Sequence, residues 1–221
     1  MSATGIGAPV KRKEDFRFIT GKGQYTDDIN RPGQTYAAFL RSPHAHATIK
    51  SIDASAARAS AGVLAVLTGD DLAADKVGGL ICGWMIHSKD GSPMKAGAHP
   101  ALALGKVRYV GDHVAVVVAE TLAQARDAVE KIHVDYEVLK PVVAMDQAGK
   151  PGAPVIHDVA PNNQVYDWHL GDKAAVDQAF SKAHHVTKLD LVNNRLIPNA
   201  MEPRAAIGDS VSYTHLTLPT K

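Results

Sequence analysis

Cysteine is almost missing from this chain: Cys82 is the only one in 221 residues. That excludes an intrachain disulfide and any CxxC metal knuckle. No sign of charge dominates either, with 24 Lys and Arg against 23 Asp and Glu. A broad basic surface for nucleic acid or an anionic membrane is therefore excluded. No apolar run approaches the roughly 20 residues of a membrane-spanning helix. The opening stretch MSATGIGAPVKRKED lacks the apolar core of a secretory signal, so the expected compartment is the cytoplasm. What the chain does have is 45% hydrophobic residues, enough for a sizeable core. Its length suits one large domain or one and a half smaller ones.

Residues 1–34 are rich in Gly, Pro and charge and read as an extended lead-in with turns. GKGQY, residues 21–25, begins like a phosphate loop. It has no strand before it and no helix after it, so the context that such a loop needs is missing. From Thr35 the pattern becomes regular. TYAAFLRS reads as a buried strand. In HATIKSID, His46, Thr48 and Lys50 alternate with Ala47 and Ile49, the period-2 signature of a half-buried strand. Asp53 is placed to cap a short Ala-rich helix ended by Gly62. VLAVLTG is a strand, and DDLAAD one helical turn.

Residues 75–104 lack periodicity and read as a long loop. Strand character resumes in KVRYVGDHVAVVVAE, with a turn at Gly111-Asp112 and a buried run from Val114 to Ala119. Thr121 and Gln124 match the T-x-x-Q capping box. Leu122, Ala125, Val129 and Ile132 follow at helical spacing, predicting a helix over 121–131. In HVDYEVL, Val134, Tyr136 and Val138 are expected inward. A Pro- and Gly-rich linker runs over 141–163. Beyond it QVYDWHL is expected as a strand. Asp172 is expected to cap a helix whose buried stripe is Ala175, Val176, Ala179, Phe180 and Ala183. HHVTKLDLV is expected as a further strand. Together these predict an α+β fold with a mixed sheet from Thr35 to Val138 and helices packed on it.

The candidate site residues are few. His44 and His46 in FLRSPHAHATIKSID would lie about 7 Å apart on one strand face. A metal site needs three or four ligands, and no nearby Cys, Asp or Glu completes one. A polar strand face or a subunit contact is the expected role. Adjacent His184 and His185 would point to opposite faces of a strand. Asp27-Asp28 and Asp70-Asp71 fit turns and helix starts. Cys82, beside Trp84, reads as a partly buried thiol, since no cation is at hand to activate it. In AMEPRAAIGD, Glu202 and Arg204 flank Pro203. They form a structural ion pair or line a cavity, and the first is favoured because charges are seldom buried without partners. By residue chemistry alone no active site is evident.

A resemblance goes further. KRKEDFRFITGKGQYTDDINRPGQTYAAFLRSPHAHATIKSID is similar to the N-terminus of the large molybdopterin-binding subunit of the molybdenum hydroxylases, the xanthine dehydrogenase, aldehyde oxidase and aerobic carbon monoxide dehydrogenase family. Arg12, Glu14-Asp15, Arg17, Thr20-Gly21, Gly23, Tyr25, Asp28, Pro32-Gly33 and the block Arg41 to His46 carry it. GVLAVLTGDDL, VRYVGDHVAVVVAE, TLAQARDAVEKI, VDYEVLKPV and NAMEPRAAIG follow in the family's order.

The resemblance implies an extension over 1–14, an a/b hammerhead domain over 15–140, the linker 141–163, and the beginning of a first molybdopterin-binding domain over 164–209. Residues 210–221 are expected to be a non-native tail. VSYTHLTLPTK, 211–221, has no counterpart in the family pattern and resembles translated adapter sequence, with a short natural strand as the alternative. For the full subunit it implies oxidation or hydroxylation of a small substrate, such as carbon monoxide, an aldehyde or a purine, with oxygen from water. The cofactor would be molybdenum–molybdopterin, as the cytosine dinucleotide. Electrons would pass to [2Fe–2S] and FAD on partner subunits. The family does not bind its metal at the Ser-Pro-His-Ala-His stretch. Its cofactor loops and its general-base glutamate would lie beyond residue 209. The resemblance thus assigns no catalytic, cofactor-binding or metal-ligating residue here, and the chain by itself is expected to be inactive. A free-standing hammerhead-like assembly module without catalysis is the rival reading.

Overall fold

The computed structural model describes residues 7, 9, 11–193, 196, 197, 199, 200 and 204–209. Glu202 and residues 210–221 lie outside them, and with them the expected ion pair and the expected tail. The chain divides into two compact units. One is Thr35–Val186; the other comprises the described residues of Met1–Gln34 and Thr187–Lys221.

In the second of these units, α1 (Asp15–Ile19) is little more than one turn, braced by Arg12 Nε against Asp15 Oδ1 at 2.9 Å. A 3-10 turn follows at Thr26–Asp28, where Asp28 Oδ2 accepts from the Tyr25 N–H at 2.9 Å. One member of the Asp27-Asp28 pair therefore serves a turn, as expected. GKGQY leads only into this three-residue turn, so it lacks the helix on which a phosphate loop depends.

In the Thr35–Val186 unit the order is β1 (Tyr36–Arg41), β2 (Ala47–Asp53), α2 (Ser55–Arg58), β3 (Val63–Thr68), α3 (Gly69–Ala74), β4 (Lys106–Val107), β5 (His113–Ala119), α4 (Leu122–Val129), β6 (His133–Val138), α5 (Met145–Ala148) and α6 (Lys173–Ser181). The α+β class holds, with helices packed on sheet. The sheet expected as one mixed layer is instead two three-stranded layers, ordered β1-β5-β3 and β4-β2-β6. Every pairing in both is antiparallel. The reason is visible at Ser42-Pro43: consecutive strands β1 and β2 leave each other there and join different sheets. β1 is an edge strand, so its residues alternate between half-buried and exposed instead of forming the continuous buried run expected. Lys50 sits at a register shift between Ile49 and Ser51, so the inward set of β2 is Ala47, Ile49 and Ile52. Asp53 receives the Ser55 N–H at 2.9 Å, but Ala54 occupies the cap position of α2.

The core is built of Ala and Val. Ala115, Val117 and Ala119 of β5 meet Ala125 and Ala128 of α4, Ala57 of α2, Val66 of β3 and Ile132. A second cluster, Ala47, Ala103, Val107 and Val114, lies under the other sheet. Leu40, Ile52 and Val134 touch both. Each fully buried Val contributes on the order of 1.5–3 kcal/mol relative to exposure. Alanines on α4 allow the helix to approach the sheet closely, and this sets which face it buries. Leu122, expected in the buried stripe, is 38% exposed; at 100° per residue it lies about 120° from Ala128. Val138, at the end of β6, projects past the second cluster and is likewise exposed.

Helix starts follow the sequence closely. At α3 a full capping box forms: Asp71 Oδ2 accepts from the Thr68 N–H at 2.7 Å and from its hydroxyl at 2.8 Å. At α4 the Gln124 N–H donates to Thr121 Oγ1 at 3.2 Å. The Thr121 hydroxyl in turn donates to Gln124 Oε1 at 2.8 Å, so the Gln side chain meets the hydroxyl of its cap residue. Gly62 (φ +77°) lies under that side chain; a Cβ there would come within 2.1 Å of it.

Two expected strands do not form. QVYDWHL is extended but pairs with a bent loop: the Lys89 N–H donates to the Asp167 carbonyl at 2.8 Å and Lys95 N–H to the Val165 carbonyl at 2.9 Å. The loop turns back on itself between those points, through Ser88 N–H to Ser92 O, so no ladder propagates. The described part of HHVTKLDLV also has no strand partner. α6 begins as expected, with Asp172 Oδ1 accepting from the Ala175 N–H at 3.0 Å. Its expected buried stripe is exposed, since no residue of the helix is covered. Residues 141–163 are tied down by Asn163, whose side-chain NH2 donates to the carbonyls of Ala148 at 2.9 Å and Pro154 at 2.8 Å.

Candidate functional site

His44 and His46 do not share a strand face. Residues 42–46 are the connection between β1 and β2. Ser42 is buried and anchors it: its N–H donates to the Asp112 carbonyl at 2.8 Å and its carbonyl accepts from Gly111 N–H at 2.8 Å. The His44 ring meets Tyr136 edge-on at 5.0 Å. His46 is only 4% exposed, which overturns the polar-face and subunit-contact readings for it. Its Nδ1 lies 3.0 Å from the Lys140 carbonyl, so Nδ1 carries the proton. Nε2 is buried with no partner among the described residues. The chain passes from one sheet to the other at this point, and the His46 side chain fills the junction.

The remaining candidates are dispersed. His184 and His185 are both exposed and outside any strand. Cys82 is exposed, against the expectation of partial burial. It sits in a stretch that nothing covers, between Ile81 at 96% and Trp84 at 81% exposure. Asp71 is committed to the α3 cap. Its carboxyl is held below the ordinary 3.8, first by the hydrogen bonds from Thr68 and then by Arg58. Among the described residues no group of three or more His, Cys, Asp or Glu is placed to hold a metal ion.

What the fold does bring together is a cavity of about 200 Å³ beside the turn that links β4 to β5, with several polar and charged side chains in its lining. Lys106 lines it from β4, Arg108, Tyr109 and Asp112 from that turn, His99 from the long loop, and His157 from the segment after α5. Asp112 forms the turn itself: its Oδ2 accepts from the Arg108 N–H at 3.1 Å. Arg108 Nε donates to the Ile156 carbonyl at 3.1 Å, which fixes the plane of the guanidinium. Burial holds the His157 imidazole below its ordinary 6.5, and the charge of Arg108 adds to the effect. Burial also raises the Tyr109 phenol, with Asp112 contributing. No serine, threonine or cysteine lines the space, so the arrangement supplies donors for a ligand and no aliphatic hydroxyl or thiol nucleophile. VRYVGD marks half of this cluster in the sequence. His157 comes from nearly fifty residues later, in a stretch with no periodic pattern, and no local signal announces it.

The family model described as aldehyde oxidase and xanthine dehydrogenase, a/b hammerhead domain, matches residues 20–140. The carbon monoxide dehydrogenase large chain of Afipia carboxidovorans is 38% identical over 211 residues, covering 90% of this chain and 25% of that protein. The nicotine 6-hydroxylase large subunit of Paenarthrobacter nicotinovorans is also 38% identical, covering 92% of this chain and 24% of its own length. Among solved structures, reconstituted CO dehydrogenase from Oligotropha carboxidovorans superposes with a TM-score of 0.66 at 39% identity, over 82% of this chain and 23% of that one. Quinoline 2-oxidoreductase from Pseudomonas putida 86 does so with a TM-score of 0.57 at 41% identity, over 63% of this chain and 17% of that one. The chain thus spans about a quarter of the length of the first relatives it matches.

Proposed function

The chain belongs to the aldehyde oxidase and xanthine dehydrogenase a/b hammerhead family, and from that premise we propose that it is the N-terminal part of the molybdenum-cofactor subunit of an oxidoreductase. The full subunit hydroxylates or oxidises a small substrate with oxygen from water. Carbon monoxide, an aldehyde or a purine-like ring fits this reading, and the relatives named for nicotine and quinoline extend it to other nitrogen heterocycles. Electrons leave to iron–sulfur and FAD subunits of the same cytoplasmic complex. Residues 15–140 form the hammerhead domain, and the first molybdopterin-binding domain begins near 164. The observation that carries this reading is the identity with a carbon monoxide dehydrogenase large chain along 90% of this chain.

The residues described do not fit the cofactor. The cavity at Arg108, of about 200 Å³, is too small for a pterin dinucleotide held by several loops. No catalytic step is therefore assigned to this chain. Its part is to form one folded wall of a larger subunit, since a cofactor supplies the difficult chemistry and the protein supplies orientation and surroundings.

The test is to express the full-length subunit with its iron–sulfur and flavin partners in a host that makes molybdopterin. Stoichiometric molybdenum and dye reduction with one of the substrates above are expected. Absence of both, from a folded complex, overturns the reading. Residues 1–209 expressed alone are expected to retain no molybdenum and to reduce no dye.

A further inference from the structure

We propose that the cavity beside the β4–β5 turn binds a small oxyanion, a phosphate or carboxylate group carried by a low-molecular-weight ligand. The inference does not depend on the enzymatic reading above. It rests first on charge. Lys106 and Arg108 face the space, and no carboxylate among the described residues makes an ion pair with either. Asp112 is the one acid in the lining, and its Oδ2 is engaged by the Arg108 backbone N–H. Lys106 and Arg108 against Asp112 leave the lining one net positive charge, and a single anionic group neutralises it.

Geometry is the second support. The Ile156 carbonyl takes the Arg108 Nε–H and leaves the two Nη groups of the fork to donate in a fixed plane. A planar fork held this way suits an oxyanion with two acceptor oxygens. The imidazoles of His99 and His157 and the Lys106 ammonium add donors from other sides. The walls are also built to close tolerance. A Cβ at Gly97 would lie 2.4 Å from His157 Nδ1. The long loop is pinned where it borders the cavity: the Ala103 N–H donates to the His113 carbonyl at 2.6 Å, and the His99 carbonyl accepts from the Leu80 N–H at 2.8 Å. The Arg108 fork and the loop backbone are thus held in place before a ligand arrives, which lowers the ordering cost of binding.

The test is isothermal titration of the full chain at constant ionic strength, with inorganic phosphate in one arm and succinate in the other. Saturable one-to-one binding with a Kd of about 0.1–1 mM is expected in at least one arm. The arm that binds identifies the source of the oxyanion, and binding in both supports the shared chemistry. Arg108→Gln should weaken it at least about tenfold. Because Arg108 also holds Ile156, its variant is checked by thermal melting. Lys106→Gln and His99→Gln, whose side chains make no hydrogen bond or ion pair among the described residues, should each weaken binding without moving the melting temperature. Lys50→Gln, an exposed charge on β2 outside the lining, should leave binding unchanged. No saturable heat up to about 20 mM of either probe, or equal weakening by Lys50→Gln, overturns the proposal.

Discussion

Helices α4 and α6 start alike and end differently. They have eight and nine residues. Each opens on a side-chain cap, Thr121 in one and Asp172 in the other. Each carries an apolar stripe at helical spacing. α4 buries Ala125 and Ala128 completely, whereas Val176 and Phe180 of α6 remain 50% and 60% exposed. Isolated helices shorter than about 12–15 residues are marginal in water. The cap and the stripe therefore specify a helix but do not stabilise it. The sheet β1-β5-β3 provides the surface that α4 needs, and no covered surface serves α6 among the described residues.

The largest effect that sharpens this contrast comes from overpacking. Ala128→Leu should destabilise the chain by about 1–3 kcal/mol, because the side chain has no space between α4 and the sheet. Ala179→Leu on α6 should change stability by less than about 0.5 kcal/mol. Denaturant titration of both variants checks this, and equal losses would show that α6 is packed after all.

Next in size is the cap. Thr121→Ala should cost about 1 kcal/mol, seen as a fall of roughly 2–4 °C in melting temperature for a chain of this size. Asp172→Ala should leave the global melt nearly unmoved and instead speed amide exchange over 173–181. A matching fall in melting temperature for the two variants would break the comparison.

A smaller effect is set by pH, and it belongs to the packed unit. Burial keeps the His113 and His157 imidazoles below 6.5 in the folded chain. An unfolded chain therefore takes up these protons first as pH falls. The stability is fully present above about pH 6.5 and is lost as pH drops from there through the folded-state values. Thermal melts from pH 7.5 to 5.0 should show this decline, and His113→Gln should flatten it. An unchanged slope in that variant would remove His113 from the explanation. The smallest expected effect is from metal. Zinc should show no submicromolar binding that His46→Ala abolishes, because among the described residues neither His44 nor His46 has the further ligands a site requires.

Much of the local structure was legible in the residues. Thr121-Gln124 and Asp172 each announced a helix start, because a side-chain oxygen three residues before a free N–H is a local device, whereas the Thr68-Asp71 box emerged only in the structure. The Val114 to Ala119 run announced the central strand. The family was legible too, since its blocks occur in order. Less of the cavity was legible. VRYVGD reads as a strand and a turn, and nothing in it indicates that His157 comes to lie opposite Arg108.

The sequence by itself therefore determined the caps of α4 and α6, the positions of most strands and the hammerhead family, all of which depend on neighbours within a few residues or on a pattern kept in order. Tertiary structure alone decided that β1 and β2 part into separate antiparallel sheets and that His46 turns inward while Leu122 turns outward. It alone decided that one capped helix is buried and the other is not. Those outcomes depend on which surfaces meet, and burial is a property of a pair of surfaces that no single segment encodes.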